Sequence, residues 1–484
     1  MKSIKTNAVL NVIKTSVTIA FSLITYPYAM RVLGVNNIGA VNYVQSVINY
    51  FALFAMLGVS SYAIREGAKL RNNESELGLF ANEVFTINII STIISYLGLF
   101  LTVLFVDKFF SYRYIFIISC GTILFSTLSV DWINTVFEDY FFITIRSLII
   151  QLLSLVLLVC FVRNKDDYYV YAGLQTLSAG VICFLNFFYC RKYIKIGVTR
   201  RPNIKKHLGK LLVLFSNALA VSIYVNFDTT MLGWIKGDYQ VGLYSASTKI
   251  YSIVKGIMIA IYSVVIPRLS VYRGNNDEEG FRNLYMKLWS YLALVLIPAG
   301  IGLAMLSREI IIVVGGISYK DAYLSLIILS FALIISVFGG LVTTCLNITI
   351  GREKENLLCT ILSALINCGL NFIAIPFFGL NGAAFTTLIA EGFVFFFCLC
   401  RIPNKSKYFD LSKLKKPLFD SCVSSLVVVL SCVLCGLIIH DIFIRLILSV
   451  LISVIFYIII LILIKDEIVI INIKNILKKF KVIK

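Results

Sequence analysis

At 484 residues the chain would make about three soluble domains by length alone, yet 59% of it is apolar, only 14% is charged and its mean hydropathy is +0.91. Those values exclude a soluble globular protein and indicate an integral membrane protein. A formal charge of +19 suits nucleic acid as well as membranes, and the placement of the basic residues decides between them.

A helix needs roughly 20 apolar residues to cross about 30 Å of hydrocarbon, and runs of that kind recur from Ala8 to the end of the chain. In order they cover approximately 8–30, 38–64, 80–106, 114–137, 141–162, 168–190, 211–234, 241–266, 284–306, 322–350, 356–376, 380–400, 417–440 and 442–464, which makes fourteen. Unbroken runs such as LLSLVLLVCFV do not alternate every second residue, so the spans are helices and not barrel strands. The expected fold class is all-α, a polytopic membrane protein. The first run continues past Tyr26 and Pro27 with no small-residue cleavage site after a short core, and is read as a retained helix.

Basic residues in membrane proteins report orientation, through the excess of Lys and Arg in cytoplasmic loops. With the N-terminus inside, the inner segments hold 32 of them and the outer loops 9, so both termini are expected in the cytoplasm, and no nucleic-acid partner is needed to explain the charge. The densest run, RKYIKIGVTRRPNIKKHLGK at 191–210, joins the sixth and seventh helices; a second runs from Arg401 to Lys416. Such a run serves topogenesis, or lies on an anionic leaflet.

The chain also repeats itself. Residues 65–76 read REGAKLRNNESE and residues 268–279 read RLSVYRGNNDEE, an echo at an offset of 203 that also carries Gly242 onto Gly39. VLG at Val32 pairs with MLG at Met231 if four loop residues are allowed between the copies, and Ala383, Thr387 and Leu388 pair with Ala172, Thr176 and Leu177 at an offset of 211. Two copies of an even number of helices enter the membrane from the same side, a parallel repeat of the kind found in transporters. The expected organisation is a six-helix bundle at 1–190, a basic linker at 191–210, a second bundle at 211–400, and a segment 401–484 holding the second linker, helices 13 and 14 and a basic tail. The two bundles would rock about a central cavity.

Ionisable groups in mid-membrane cost at least about 2.5–3.5 kcal/mol on insertion scales, so those that remain usually face a wet cavity or a partner. Lys255 lies too deep in the eighth helix to reach the surface easily, and is either a cavity cation or the partner of a buried carboxylate. Lys249 is about 120° away on the same helix, and Lys14 near an end of the first helix is as well suited to snorkelling. The first copy has Ser46 and Ala52 where the second has Lys249 and Lys255. Asp131, Asp228 and Glu391 are the most embedded acids, either paired with a lysine or titrating to couple an ion gradient. Pro27 removes a helix hydrogen bond and marks a hinge or a static kink. Arg65 and Arg268 complement helix ends at the inner surface.

Twelve cysteines are read as packing residues, because Cys120, Cys160, Cys183, Cys368, Cys398 and Cys432 sit in apolar runs and no CxxC pair accompanies clustered histidines. With His207 and His440 the only histidines, no metal, cofactor or catalytic group is expected. The longest outer loop, about Ser307 to Asp321, leaves little room for a polymerase or ligase.

In order and spacing, YPYAMRVLG (26–34), IGAVNYVQSVINYFALFAMLGVSSYAIREGAK (38–69), DWINTVFEDYFFITIRS (131–147), FDTTMLG (227–233), VGLYSASTKI (241–250), IPRLS (266–270) and PFFGLNGAAFTTLIAEG (376–392) resemble a bacterial polysaccharide flippase of the Wzx type, within the multidrug/oligosaccharidyl-lipid/polysaccharide exporter superfamily. The resemblance covers the whole chain. It implies that an undecaprenyl-pyrophosphate-linked oligosaccharide is passed across the bacterial cytoplasmic membrane by alternating access, driven by H+ or Na+, for O antigen, capsule or exopolysaccharide. It implies membrane lipid, and a polymerase and chain-length regulator of the same pathway, as partners. Family members carry cationic cavity residues, a role for which Lys14, Lys249 and Lys255 are the candidates, with Arg31 and Arg146 at the two mouths. Related alternatives are a cation-coupled drug exporter, against which buried lysines argue, and a peptidoglycan-precursor flippase.

Overall fold

A computed structural model of the protein describes residues 4–466 and 468–471, with side chains from 14 onward except at 411. The basic tail beyond 471 lies outside the described residues. Among the described residues twelve helices are long and apolar enough to cross a membrane, and two of these, Lys14–Leu70 and Glu353–Cys400, run to 57 and 48 residues. Straight helices of that length would measure about 85 and 72 Å at 1.5 Å per residue, two crossings each. Glu353–Cys400 breaks at Gly379 (φ 55°, ψ −131°), and Lys14–Leu70 breaks at Gly34 (φ 78°, ψ 174°) and again at the Leu57–Gly58 turn (φ 44° and 74°), in left-handed territory that a side chain resists. The described residues are therefore all-helical and belong to a multi-pass membrane protein, and with the two long helices divided at Gly34 and Gly379 they give fourteen apolar segments: α1 (4–33), α2 (35–70), α3 (Glu74–Phe105), α4 (Arg113–Val136), α5 (Tyr140–Phe161), α6 (Lys165–Lys192), α7 (Ile204–Lys236), α8 (Asp238–Gly274), α9 (Glu278–Met305), α10 (Ile317–Asn347), α11 (353–378), α12 (380–400), α13 (Leu411–Ile438) and α14 (Ile442–Leu463).

The backbone is helical through Pro27 and leaves helical geometry seven residues later, at Gly34. Gly237, 203 residues on, has nearly the same conformation, φ 84° and ψ −176°. The offset therefore runs unbroken through these two glycines. This corrects the pairing of VLG at Val32 with MLG at Met231: the true counterpart of Gly34 is Gly237, not Gly233, and no four-residue loop difference is needed. The echo at Arg65 and Arg268 ends in matching turns as well. α3 starts on an Asn73 side chain that accepts the Glu76 amide at 3.2 Å, and α9 on an Asp277 side chain that accepts the Gly280 amide at 2.8 Å.

The chain forms two compact units, Met1–Ser245 and Ala246–Lys484, so the first turns of α8 belong to the first. In the first unit Tyr62, Leu77, Phe80, Trp132 and Leu211 join α2, α3, α4 and α7 into one apolar core. In the second, Leu294, Val428, Cys432 and Leu461 join α9, α13 and α14, and the Tyr457 hydroxyl donates to the Leu294 carbonyl at 2.8 Å, fastening the last helix pair to α9.

Bonds between connections sort them onto two sides. In the first unit Arg71 pairs with Glu138 (3.0 Å) and Lys192 with Asp139 (3.1 Å), linking the α2–α3, α4–α5 and α6–α7 connections. Asn37 donates to the Lys165 carbonyl (2.7 Å) and Tyr112 to Asp238 (2.8 Å), linking the others. In the second unit Arg401 pairs with Glu355 (2.9 Å) and Lys407 with Glu278 on one side, and Arg445 with Glu309 (3.2 Å) on the other. Full crossings in strict alternation require this sorting.

Candidate functional site

In α8, Tyr251 and Lys255 stand one turn apart on one face, and both turn to Glu391 of α12. Lys255 Nζ lies 2.8 Å from Glu391 Oε1, the Tyr251 hydroxyl donates to the same oxygen at 3.0 Å, and Lys255 also donates to the Tyr251 oxygen at 3.1 Å. The Lys255 side chain keeps 26% of its surface open, against 7% for Glu391. Burial strengthens the attraction in the pair and removes the water that would otherwise solvate either charge alone. Two residues singled out from depth alone thus meet across 136 positions of sequence. Lys249 is half-buried on the same helix.

A second charged cluster lies in the first unit. The Arg146 side chain of α5 is 2% exposed and reaches Asp131 of α4 through Nη2–Oδ1 at 3.1 Å. The same oxygen accepts from Asn186 Nδ2 of α6 at 2.7 Å, and Asn186 in turn accepts from Asn134. Arg146 covers the Phe142 ring at 5.5 Å, while its Nε and Nη1 have no hydrogen-bond partner among the described residues. Asp131 is thus held by a cation, in an environment where an arriving ion would have to compete with the guanidinium. Asp228, buried on α7, accepts the Tyr244 hydroxyl at 2.9 Å. Lys14 is half-buried in α1, and Arg31 is exposed three residues before the Gly34 break.

Sequence reasoning missed the groups that hold these charges. Tyr251 precedes Lys255 by four residues, a helical spacing legible in advance; Tyr244, Asn186 and Asn134 carry no such signal. A further constellation was also unmarked. His207, fully buried, bonds Tyr62 of α2 through Nδ1 and Glu83 of α3 through Nε2, both at 2.8 Å.

The comparisons agree with this architecture. A relative named "Putative O-antigen transporter" from Shigella dysenteriae is 25% identical over 386 residues, covering 78% of this chain and 95% of its own. A relative of the same name from Escherichia coli (strain K12) is 24% identical over 374 residues, covering 76% and 89%. Among solved structures, the lipid II flippase MurJ in an inward closed conformation matches with TM-score 0.73 at 17% identity, over 95% of this chain and all of its own. An inward-facing multidrug resistance MATE family transporter matches with TM-score 0.60 at 18% identity, over 82% and 95%; at such identities the likeness is one of fold. The family described as polysaccharide biosynthesis protein matches residues 4–273, more than half of the sequence, and the chain belongs to it.

Proposed function

We propose that this protein is a flippase that carries an undecaprenyl-pyrophosphate-linked oligosaccharide across the bacterial cytoplasmic membrane for surface polysaccharide assembly. The observation that carries the reading is Lys255, a partly open cation within a membrane-crossing helix, held against Glu391 and Tyr251. A pyrophosphate is a strong acceptor for such an ammonium, and the names of the curated relatives point to the same class of cargo.

In this reading the carrier opens alternately to either side of the membrane, and the excess of basic residues places both termini in the cytoplasm. With no cargo, Glu391 neutralises Lys255. The arriving pyrophosphate draws Lys255 away and leaves the Glu391 carboxylate without its counter-ion, which makes it the first coupling candidate. Lys14 and Lys249 extend the cationic lining, Arg31 stands at its mouth, Asp228 and Asp131 are the further coupling candidates, and Pro27, close to the Gly34 break, eases the bend of α1; Arg146, buried against Asp131, braces α5 to α4 and is not a mouth residue. A cation exporter would gain nothing from a lysine here. The chain acts as a carrier and not as an enzyme, working alongside the polymerase and chain-length regulator.

The test is transfer of a fluorescent lipid-linked oligosaccharide across proteoliposomes. Lys255→Ala is expected to slow it at least tenfold and Lys255→Arg to keep part of it; unchanged transfer by Lys255→Ala rejects the reading.

A further inference from the structure

α2 and α3 leave between them an apolar groove of about 420 Å3, lined chiefly by Phe51, Phe54, Ile87, Ile90 and Ile94. Ser91 and Ser95 also face it, but their hydroxyls are taken up by the carbonyls of Ala55 and Phe51, at 2.5 Å each, so they offer it no polar handle. From Ile87 to Gly98 the lining follows α3 for about 16 Å, roughly half of the ~30 Å hydrocarbon core and so the depth of one leaflet.

The groove is a built feature. Its end toward the α2–α3 connection is closed by the first two turns of α7, through Ile204 and Leu208. Those turns are fastened by His207, which bonds Tyr62 of α2 and Glu83 of α3, both at 2.8 Å. The third wall is thereby tied to each of the other two. The segment that leads into this wall is cationic: Arg200, Arg201, Lys205 and Lys206 are exposed, and Lys205 lies three residues before the groove residue Leu208, on the same face of the helix.

An apolar slot of leaflet depth beside a cationic segment matches a hydrocarbon chain that ends in phosphate. We infer that the groove holds the chain of a polyprenyl phosphate with its phosphate on Arg201 and Lys205, a docking station for the cargo's lipid on the outer face of the first unit. The inference rests on the proposed function. The slot is single, so a two-chain phospholipid would leave its second chain without a matching surface, whereas a single polyprenyl chain fills it and continues into the bilayer past Gly98. The basic linker thus gains a use beyond setting topology.

The test gives the purified full chain a polyprenyl phosphate and phosphatidylglycerol at equal mole fraction, and native mass spectrometry weighs what stays bound. Polyprenyl phosphate is expected to exceed phosphatidylglycerol at least tenfold. Ile94→Trp, which fills the slot, should cut its retention at least tenfold, and Arg201→Glu with Lys205→Glu at least threefold. Leu365→Trp, on an exposed face of α11, should change nothing. Leu208→Trp fills the slot from the opposite wall should Ile94→Trp fail to fold. Equal retention of both lipids, or wild-type retention by a folded slot-filling variant, overturns the groove. Proteoliposome transfer is read separately: a chain that retains the polyprenyl phosphate yet transfers no cargo supports the groove and removes the function, while transfer with no retention does the reverse.

Discussion

Gly39 of α2 and Gly242 of α8 meet where the two helices cross, and the contact is reciprocal. A Cβ on Gly39 would fall 1.9 Å from the Asp238 carbonyl oxygen, and a Cβ on Gly242 would fall 2.1 Å from that of Val35. The two glycines are 203 residues apart, and so are the two carbonyls they face. The contact is thus the same seen from either helix, a glycine of each against a backbone carbonyl of the other. Gly39→Ala and Gly242→Ala should each destabilise by about 1–3 kcal/mol, as overpacking does. Gly436→Ala, where an added Cβ meets nothing within 4 Å, should not. Thermal unfolding in detergent checks all three.

Lys255 and Glu391 should be separable in stability and transport. Removing one member of a buried pair leaves the other charge unpaired, at about 3–5 kcal/mol, so Glu391→Gln and Lys255→Ala should both lower the unfolding temperature. The exchange Lys255→Glu with Glu391→Lys should regain much of that stability while cargo transfer stays at least tenfold down, because the cation then sits on α12. Recovery of transfer by the exchange would argue that the pair is only a brace.

His207→Ala should cost about 1–3 kcal/mol for each polar group left without its partner, Tyr62 and Glu83. Hydrogen exchange should then quicken in the first turns of α7 well before the rest of that helix. Tyr62→Phe, which removes one bond, should have the smaller effect.

Asp139, in the connection between α4 and α5, gives a pH dependence. Burial pushes its carboxyl up, but hydrogen bonds from Tyr189 (2.6 Å), Lys192 (3.1 Å) and Tyr193 (2.9 Å) outweigh it and hold the carboxyl below its ordinary value. An unfolded Asp titrates near about 3.9. The stability this brings is therefore present above that pH, and is lost as pH falls through the lower folded value. The gap in unfolding temperature between wild type and Asp139→Asn should hold from pH 7 to pH 5 and close in stronger acid.

Sidedness has its own check. In a background freed of exposed cysteines, a membrane-impermeant maleimide added to intact cells should label Asp166→Cys in the first turn of α6 and not Gly197→Cys in the α6–α7 connection. The opposite pattern would invert the topology.

The apolar crossings were legible because an apolar run of that length has no other use, and the repeat because REGAKLRNNESE returns as RLSVYRGNNDEE at an offset of 203. The paired glycines Gly34 and Gly237 were not: a glycine states that an unusual φ is allowed, never that it is used. Depth drew attention to Lys255, Glu391 and Asp131, since a charge in an apolar run is conspicuous by itself, while Arg146 came only from the family resemblance. That these four make two pairs was beyond reach, as their partners are set by which helices become neighbours. His207 was read within a basic run, where neighbouring lysines mask a single buried side chain.

The closed Lys255–Glu391 pair also has an electrical consequence. Two opposite charges that move together contribute no net charge, so under the proposed function an empty carrier returns without these residues feeling the membrane voltage. A pyrophosphate leaving a cell that is negative inside moves down that voltage, worth about 2.3 kcal/mol per elementary charge per 100 mV. Voltage would then act on the loaded half of the cycle and be silent on the other.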